Sequence, residues 1–494
     1  MLDYFKKTYF TKRYAVLAFA LICIFIFNGN TGCGTSPGHH PFVQTEAADY
    51  SGMSWTQAYD SLHALMQKQY AFSNWKNIDW NALDNTIRPK VVAAEAAVNA
   101  DDYTSALLEY TRSIPDGHVT WNPTTFNGIT TNTKGTYGLG IIGLDNGKVI
   151  ANFVKAGGPA NTAGIDVGAE ITHWNGVPIA TAVSQASTLW RPNPASIATN
   201  EHTILEQYRA LALDPVGTNI TITYFKADGT GPFVTPLLAA ADDGGEVKFK
   251  TKLWDRVDEA DPIKYEVLAS GYGYIQLGTL ESDDISFDQL FDKFKEAMEF
   301  LTERNVPGII IDLRANGGGS DDLAAKISGY FYSERTFYEY QNIYNAYNEQ
   351  REILLPSHDD SYIIGWGISL NITPQSLQFT GPVVGIVNPD STSSAEGVAM
   401  TIQNLDNGYI VSFYGTNGSF GMTGGEAKMP LGYTITFPNG QSLDVNKVIQ
   451  LDSKNGIGGI TPDVRVPKTS ARMIDYANGV DTELAYAVSF LNSL

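Results

Sequence analysis

The pattern of apolar and polar positions divides this chain of 494 residues into three parts with different periods. Between residues 54 and 110 apolar side chains recur at three- and four-residue steps, which predicts a helical domain over 51–132. Short β-branched runs separated by Gly-rich turns follow and predict a small β domain over 134–228. From residue 238 onward, apolar strands alternate with amphipathic helices, which predicts an α/β domain over 238–494. The fold class expected is therefore α/β, with several domains.

The α/β part contains a stretch that reads strand, turn, helix. Residues 383–387 form an apolar run, Asn388-Pro389-Asp390 is typical of a turn, and residues 394–405 carry apolar positions at helical spacing. The Ser-Thr-Ser-Ser cluster at 391–394 therefore begins a helix, where free backbone N–H groups can bind an oxyanion. Such a cluster either caps the helix or includes a nucleophile, and this stretch alone leaves both interpretations open.

A second stretch of the α/β part follows the predicted buried strand 306–313. Residues 314–319 read Arg-Ala-Asn-Gly-Gly-Gly, and glycines after a strand allow backbone N–H groups to point into a site, as in oxyanion and phosphate loops. The phosphate interpretation lacks its Gly-Lys-Ser/Thr continuation, and Asp321 and Asp322 would repel phosphate. An oxyanion or substrate-backbone role is favoured.

Charge and cysteine content exclude several function classes. The formal net charge is −20, which disfavours nucleic acid or anionic lipid as a partner. The two cysteines, Cys23 and Cys33, both lie near the N-terminus. The domains that follow therefore contain no disulfide, cysteine nucleophile or zinc thiolate site, and we expect neither a cofactor nor a metal.

The N-terminus has the layout of a secretory signal. Basic residues precede an apolar run over 14–27, and a small-residue region with Gly32 and Cys33 follows. Residues 1–33 are thus predicted to be a signal peptide and residues 34–50 a polar tether. Gly32-Cys33 resembles a bacterial lipoprotein site, although Asn30 stands where Leu is usual, so Cys33 is the candidate for lipidation. The expected location is the cell envelope, in the periplasm or at the outer membrane, with the membrane contacted only through the lipid. A plain secretory signal is the alternative.

The β part begins with Gly138-Leu139-Gly140-Ile141, within a match to G-x-G-x-x-G. A dinucleotide site is rejected because a hairpin turn at 145–147, and no helix, follows this motif. The order of glycine loop, strand 149–154, the Gly-Pro-Ala segment from 158 and the strand ending in Asn175-Gly176 resembles a PDZ domain. In that family an extended peptide adds beside the glycine loop, which makes residues 138–141 the candidate site for capturing a substrate peptide.

Taken together, the motifs resemble those of the S41 serine peptidases. The resemblance rests on residues 312–319, the Ser-Ser-Ala-Glu helix start at 393–396, the inserted PDZ-like region and Gly459-Ile-Thr-Pro-Asp-Val near the end. It implies a ClpP/crotonase-like core and a nucleophile three residues before the glutamate, which is Ser393. It also implies oxyanion donors from the backbone of Ser394 and of Gly317 or Gly318.

The general base implied by the resemblance is a histidine. Processing proteases of the family use a lysine, but Gly418 occupies that position and no lysine lies between Ser394 and Ala427. Tricorn-like members use a histidine in an Asp-Gly-His motif before the PDZ domain, which is matched here by His118. A serine nucleophile needs such a base beside it.

The third member of the site is less clearly indicated. Asp452 is the nearest acid at a suitable spacing before the Gly-x-x-Pro-Asp motif, and Glu426 is a rival. Glu396 is interpreted as an orienting carboxylate at the helix N-terminus.

The sequence thus predicts a serine endopeptidase that acts on peptides or proteins by acyl transfer. The alternatives are an inactive protein of the same fold that binds peptides or apolar ligands, and an envelope scaffold that needs only the PDZ-like part.

Overall fold

The computed structural model describes residues 42–122, 127–191, 193, 195–241, 261–356, 362–363 and 369–494. The predicted signal peptide, with Cys33, and residues 34–41 of the predicted tether lie outside the described residues. The helices, in chain order, are α1 (Trp55–Gln69), α2 (Trp80–Ala97), α3 (Ala100–Arg112), α4 (Asn127–Thr133), α5 (Pro159–Thr162), α6 (Ile179–Gln185), α7 (Asn200–Leu211), α8 (Phe287–Glu303), α9 (Asp321–Ser328), α10 (Ser394–Gln403), α11 (Ser470–Ala477) and α12 (Thr482–Leu491).

The strands, in chain order, are β1 (Ala48–Asp49), β2 (Thr120–Asn122), β3 (Gly135–Thr136), β4 (Leu139–Gly143), β5 (Val149–Val154), β6 (Glu170–Trp174), β7 (Val177–Pro178), β8 (Leu213–Asp214), β9 (Asn219–Phe225), β10 (Phe233–Leu238), β11 (Ala240–Ala241), β12 (Ile263–Val267), β13 (Gly273–Leu277), β14 (Ile309–Asp312), β15 (Thr336–Asn345), β16 (Gln350–Pro356), β17 (Tyr362–Ile363), β18 (Leu370–Ile372), β19 (Val383–Ile386), β20 (Gly408–Ser412), β21 (Met422–Lys428), β22 (Thr434–Leu443) and β23 (Val464–Arg465).

The N-terminal helices form as their sequence predicts. Ser54, Asp79 and Asn99 precede α1, α2 and α3, and each accepts a hydrogen bond from a backbone N–H in the first helical turn. The apolar faces of these helices are buried in a core that also contains side chains of β21 and β22, so that Leu62 and Phe437 belong to one cluster. The helical part therefore shares its core with the C-terminal part of the chain.

The region that resembles a PDZ domain contains a six-stranded sheet. The strands follow the order β10-β9-β6-β5-β4, and β7 pairs with β6. The predicted strand at 149–154 is confirmed as β5. The sheet and its helices enclose their own apolar core, which includes Ile141, Ala151 and Ile222. The PDZ assignment itself stays a prediction.

The α/β sheet has the order β12-β13-β14-β19-β20-β23. Only β12 pairs antiparallel, and the other strands run parallel. The strands predicted at 306–313 and 383–387 and the helix predicted at 394–405 are present, each with shorter bounds. Asp312 pairs with Ile386, so β14 and β19 end at the same edge. The glycine loop and the serine helix consequently emerge side by side.

A large sheet was not predicted. It follows the order β1-β21-β22-β15-β16-β17, with β18 on β15 and β2 on β22. Thr120 of β2 pairs with Thr436 of β22, across most of the chain. Because β2 begins two residues after His118, this pairing carries the candidate base to the C-terminal part.

Candidate active site

Ser393 lies at a sharp backbone bend between β19 and α10. Its φ of 59° and ψ of −133° are values that residues other than glycine rarely adopt. The Ser393 N–H donates to the carbonyl of Ser419 at 3.0 Å and to the carboxylate of Glu396 at 3.2 Å. Backbone strain of this kind persists where the surrounding structure enforces it, and it is common at active sites.

Glu396 fixes this bend from the buried side. One carboxylate oxygen accepts hydrogen bonds from the Thr416 hydroxyl at 2.6 Å and the Gly418 N–H at 2.7 Å. The other accepts from the N–H groups of Ser419 at 2.9 Å and Ser393. Burial raises the pKa of Glu396 to about 7, and the four donors act in the opposite direction. With both oxygens occupied, Glu396 positions the nucleophile and the loop 416–419.

The glycine loop after β14 packs directly on the serine bend. Gly318 has a φ of 94°, and a Cβ atom there would lie 2.6 Å from the Cβ of Ser393 and 2.7 Å from the carbonyl oxygen of Thr392. The side chain of Ser394 is buried, and its hydroxyl donates to the carbonyl of Gly319 at 3.0 Å. Glycine is therefore the residue that allows this close contact.

Two of the three predicted oxyanion donors have a free N–H group. The Gly318 N–H donates to Asn316 Oδ1 at 2.8 Å and is occupied. The N–H groups of Gly317 and Ser394 donate to none of the residues that the structure describes. Gly317 is exposed, and the space beside its Cα is open. Gly317 and Ser394 are thus the pair available to an oxyanion.

The turn that carries His118 contacts the loop 416–419. The Gly117 N–H donates to Ser419 Oγ at 2.7 Å, while the Ser419 carbonyl accepts from Ser393. A Cβ at Gly117 would lie 2.4 Å from Asn417 Oδ1, so this position of the Asp-Gly-His motif has no room for a side chain. Ser419 therefore joins the backbones beside the candidate base and the candidate nucleophile. In the described part of the chain, no hydrogen bond joins the two side chains themselves.

The imidazole of His118 is largely buried, with 11% of the side chain exposed. Burial lowers its pKa, the Asp116 carboxylate raises it and the Lys76 ammonium lowers it further. Asp116 Oδ1 accepts the His118 backbone N–H at 2.9 Å and lies 3.9 Å from Nδ1. Nδ1 is buried without a hydrogen-bond partner.

The structure does not bring the other predicted acids into contact with His118. Asp452 is buried: its Oδ2 accepts the Phe420 N–H at 3.1 Å, and its Oδ1 lies 3.4 Å from Lys76 Nζ. Burial raises the pKa of Asp452 well above its ordinary value, and the Lys76 ammonium lowers it. Glu426 is half-buried in β21, where it pairs with Thr436. Of the carboxylates considered, Asp116 is nearest to the imidazole.

Sequence reasoning missed two residues of this site. Ser419 follows Gly418, the position where processing proteases carry their lysine, and the absence of that lysine was the only signal there. Lys76 lies in the segment between α1 and α2 and belongs to no recognisable motif. Lys428, the nearest lysine after the serine, is exposed at the end of β21, beside Asp49 of β1.

The predicted peptide-capturing loop, Gly138–Ile141, is buried. It begins with Gly138 at a φ of 67° and continues into β4, whose one strand partner in the sheet order is β5. Ile142 of β4 belongs to the same apolar cluster as Ile310 and Ile386 of the α/β sheet. The strand proposed to receive a peptide thus has one side chain packed on the catalytic part.

No helix in the described ranges is long and apolar enough to cross a membrane. The same residues contain no group of three or more His, Cys, Asp or Glu side chains placed to hold a metal ion.

Residues 271–466 match the model of peptidase family S41. Mature CPAF in complex with lactacystin is similar over 89% of this chain and 99% of its own, at 13% identity and a TM-score of 0.59. A putative peptidase from Parabacteroides merdae matches 89% of this chain and 97% of its own, at 16% identity and a TM-score of 0.48. Tricorn protease matches 89% of this chain and 37% of its own, at 16% identity and a TM-score of 0.41. No curated protein sequence matches. The likeness to CPAF shows a common fold.

Proposed function

We propose that this chain, whose residues 271–466 match the model of peptidase family S41, is a serine endopeptidase with Ser393 as nucleophile and His118 as base. The observation that carries the proposal is the double contact of Ser419, which accepts hydrogen bonds from the N–H groups of both Gly117 and Ser393. It connects the residue before the base to the nucleophile itself, although more than two hundred positions separate them in the sequence.

The proposed reaction is acyl transfer. His118 takes the hydroxyl proton of Ser393 as Oγ attacks the peptide carbonyl, and it then gives that proton to the leaving amine as the C–N bond breaks. Water, activated by the same imidazole, releases the acyl group. The free N–H groups of Gly317 and Ser394 are the donors proposed for the tetrahedral oxyanion, and losing one such donor costs about 3 kcal/mol of transition-state stabilisation.

The protonation state of His118 supports its role as a base. Burial lowers its pKa below the ordinary 6.5, so the imidazole is neutral and able to accept a proton at neutral pH. The Asp116 carboxylate, 3.9 Å from Nδ1, is placed to stabilise the imidazolium that forms during the reaction. Asp452, the third residue suggested by the sequence, acts in this proposal through its ion pair with Lys76.

The substrates are proposed to be peptides or proteins, as the family indicates. Capture of a substrate C-terminus beside Gly138–Ile141 remains part of the proposal, supported by the edge position of β4. It is tested by comparing hydrolysis of peptides that end in a free carboxylate with hydrolysis of the same peptides ending in an amide. Equal values of kcat/KM would remove this role from the loop.

A lipid anchor at Cys33 in the cell envelope is likewise proposed, from the basic, apolar and Gly-Cys order of the leader. Mass spectrometry of the protein purified from membranes is expected to find a diacylated N-terminal Cys33. An unmodified N-terminus at another residue would reject the anchor.

The function is tested with casein as an unfolded protein substrate. Ser393→Ala is expected to fold and to lose hydrolysis, while Ser394→Ala, which loses one hydrogen bond to Gly319, keeps most of it. His118→Ala is expected to lower kcat by about 10³-fold to 10⁶-fold, and Lys428→Ala to leave it nearly unchanged. Circular dichroism checks folding. A folded and fully active His118→Ala protein would show that another group is the base, whereas a wild-type protein that does not hydrolyse casein would favour the peptide-binding alternative.

A further inference from the structure

Lys76 places a buried ammonium group beneath the catalytic loops. Its side chain is 1% exposed. Nζ donates hydrogen bonds to the Pro115 carbonyl and to Ser453 Oγ, each at 2.9 Å. Pro115 begins the turn that carries His118. Ser453 lies in the opposite loop, where its N–H donates to the Gly418 carbonyl at 2.9 Å. Lys76 therefore links the loop of the base to the loop that packs against the nucleophile.

Two buried carboxylates face this ammonium group. Asp452 Oδ1 lies 3.4 Å from Nζ and Asp116 Oδ2 lies 3.9 Å from it, and both acidic side chains have no exposed surface. Asp116 Oδ2 also accepts the Tyr70 hydroxyl at 2.8 Å. Two acidic side chains buried this close together are stabilised by an opposite charge beside them. Lys76 supplies that charge.

We propose that Lys76 is a positioning residue of the active site, which pairs with Asp116 and Asp452 and fixes the turn that aims His118 at Ser393. This inference rests on the proposed function, since it needs His118 to be the base. No contact in the described part of the chain joins Lys76 to Ser393, so Lys76 acts through the histidine.

The charged and titratable groups around Lys76 set the expected pH effect. They are Asp116 and His118 on the turn, Tyr70 at the end of α1, Asp452 on the loop before β23 and Glu396 on α10, which acts on Asp452 from the far side. The Lys76 charge lowers the pKa of His118, whereas the Asp116 charge raises it. Removing the lysine charge therefore shifts the titration of His118 to higher pH.

The test is the rate at which a fluorophosphonate labels Ser393 in the full chain, measured from pH 5 to pH 9. This rate depends on the reactivity of Ser393 and on its base, and measuring it does not require a known substrate. Lys76→Met is compared with Lys454→Met, a control in the neighbouring loop whose exposed ammonium lies over the ring of Trp75 at 4.4 Å. We expect Lys76→Met to be labelled about tenfold more slowly or worse, with its midpoint at higher pH, and Lys454→Met to match the wild type.

A second variant covers the case in which Lys76→Met does not fold. Lys76→Met/Asp452→Asn removes both charges of the closest pair and leaves no unpaired ion from it, so it is expected to fold. Its labelling is expected to stay slow with a raised midpoint, because the Pro115 carbonyl has lost its donor. Wild-type rate and midpoint in the folded double variant, or in folded Lys76→Met, would overturn the inference. Absence of labelling in the wild type would instead overturn the proposed function.

Discussion

Glu396 is the residue on which the geometry of the nucleophile depends most. Its four hydrogen bonds join the Ser393 bend to the segment from Thr416 to Ser419, and no oxygen lone pair in the plane of the carboxylate is left for catalysis. The sequence indicated an orienting carboxylate at this position because helix N-termini favour acids. It could not indicate the partners, since three of them lie twenty or more residues away.

Replacing Glu396 by Gln tests this role. The amide has one acceptor oxygen and one NH₂ donor, so two of the four donors would face another donor. We expect kcat/KM to fall about 100-fold and the melting temperature to fall by a few degrees. Glu426→Gln, at a half-buried position in β21, is the matched control and is expected to behave as the wild type. A fully active Glu396→Gln protein would show that the loop does not need this carboxylate.

The pH dependence of hydrolysis reports His118. Burial lowers the pKa of its imidazole, and only the neutral form accepts the serine proton. We therefore expect kcat/KM to rise with pH through a midpoint below 6.5, the ordinary histidine value. A midpoint well above that value would point to a lysine base.

At the scale of elements, the site depends on where β14 and β19 end. Arg314, two residues after the end of β14, donates to Asp312 at 2.9 Å. It also donates to Asp481 and Glu483 at the start of α12, at 2.8 Å and 3.1 Å. These buried ion pairs fix the start of the glycine loop against the C-terminal helix. The loop then reaches the serine bend, where Gly318 makes its closest contact.

Gly318→Ala tests this contact. The new methyl group would meet Ser393 Cβ at 2.6 Å, and alanine is strained at a φ of 94°. Gly147→Ala is the control for strain alone, because Gly147 has a φ of 81° in a hairpin turn and nothing within 4 Å of its Cβ position. We expect Gly318→Ala to lose at least 100-fold in kcat/KM and Gly147→Ala to lose little. Similar activity in both would mean that the glycine loop does not position Ser393.

Local periodicity predicted the elements that carry the serine and the glycine loop, because β14, β19, α8 and α10 have strong apolar patterns. It did not predict the large sheet. β21 reads Met-Thr-Gly-Gly-Glu-Ala-Lys and has little intrinsic strand preference, so it forms through its pairing with β22. His118 is indicated by the resemblance to a family and not by a local pattern. Its location in the structure depends on the pairing of β2 with β22.

At the scale of the whole molecule, buried carboxyl groups link stability to pH. Burial raises the pKa of Glu396 and Glu483 to about 7 and of Asp321 to about 6, and it raises the pKa of Glu339 well above its ordinary value. The folded protein keeps these protons above pH 4.5, where the unfolded chain has released them. Its free energy of unfolding therefore falls as pH rises through this range.

Two histidines act in the opposite sense. Burial lowers the pKa of His63 and His118, so the unfolded chain alone binds their protons below 6.5, and this part of the stability rises with pH. The carboxyl groups outnumber them. We expect the melting temperature to be roughly 5 °C lower at pH 8 than at pH 5.5, measured by calorimetry at constant ionic strength. A melting temperature that rises over this interval would contradict the burial of ionisable carboxyls described here.

The charge cluster around Lys76 shows where sequence reasoning ends. Lys76, Asp116 and Asp452 come from three distant segments, and each side chain taken alone is an ordinary charged residue. Only the packing of the helical part on β21 and β22 brings them together. The sequence indicates Asp452 as the third member of the site, and in the structure its ion pair is with Lys76.

The central claim, that Ser393 is the nucleophile and His118 its base, is tested most directly by locating a fluorophosphonate adduct. Peptide mapping of the labelled wild-type protein is expected to find one adduct, on Ser393, with labelling absent in Ser393→Ala, retained in Ser394→Ala and slowed at least about 10³-fold in folded His118→Ala. An adduct on Ser394, or undiminished labelling of Ser393 in folded His118→Ala, would contradict it.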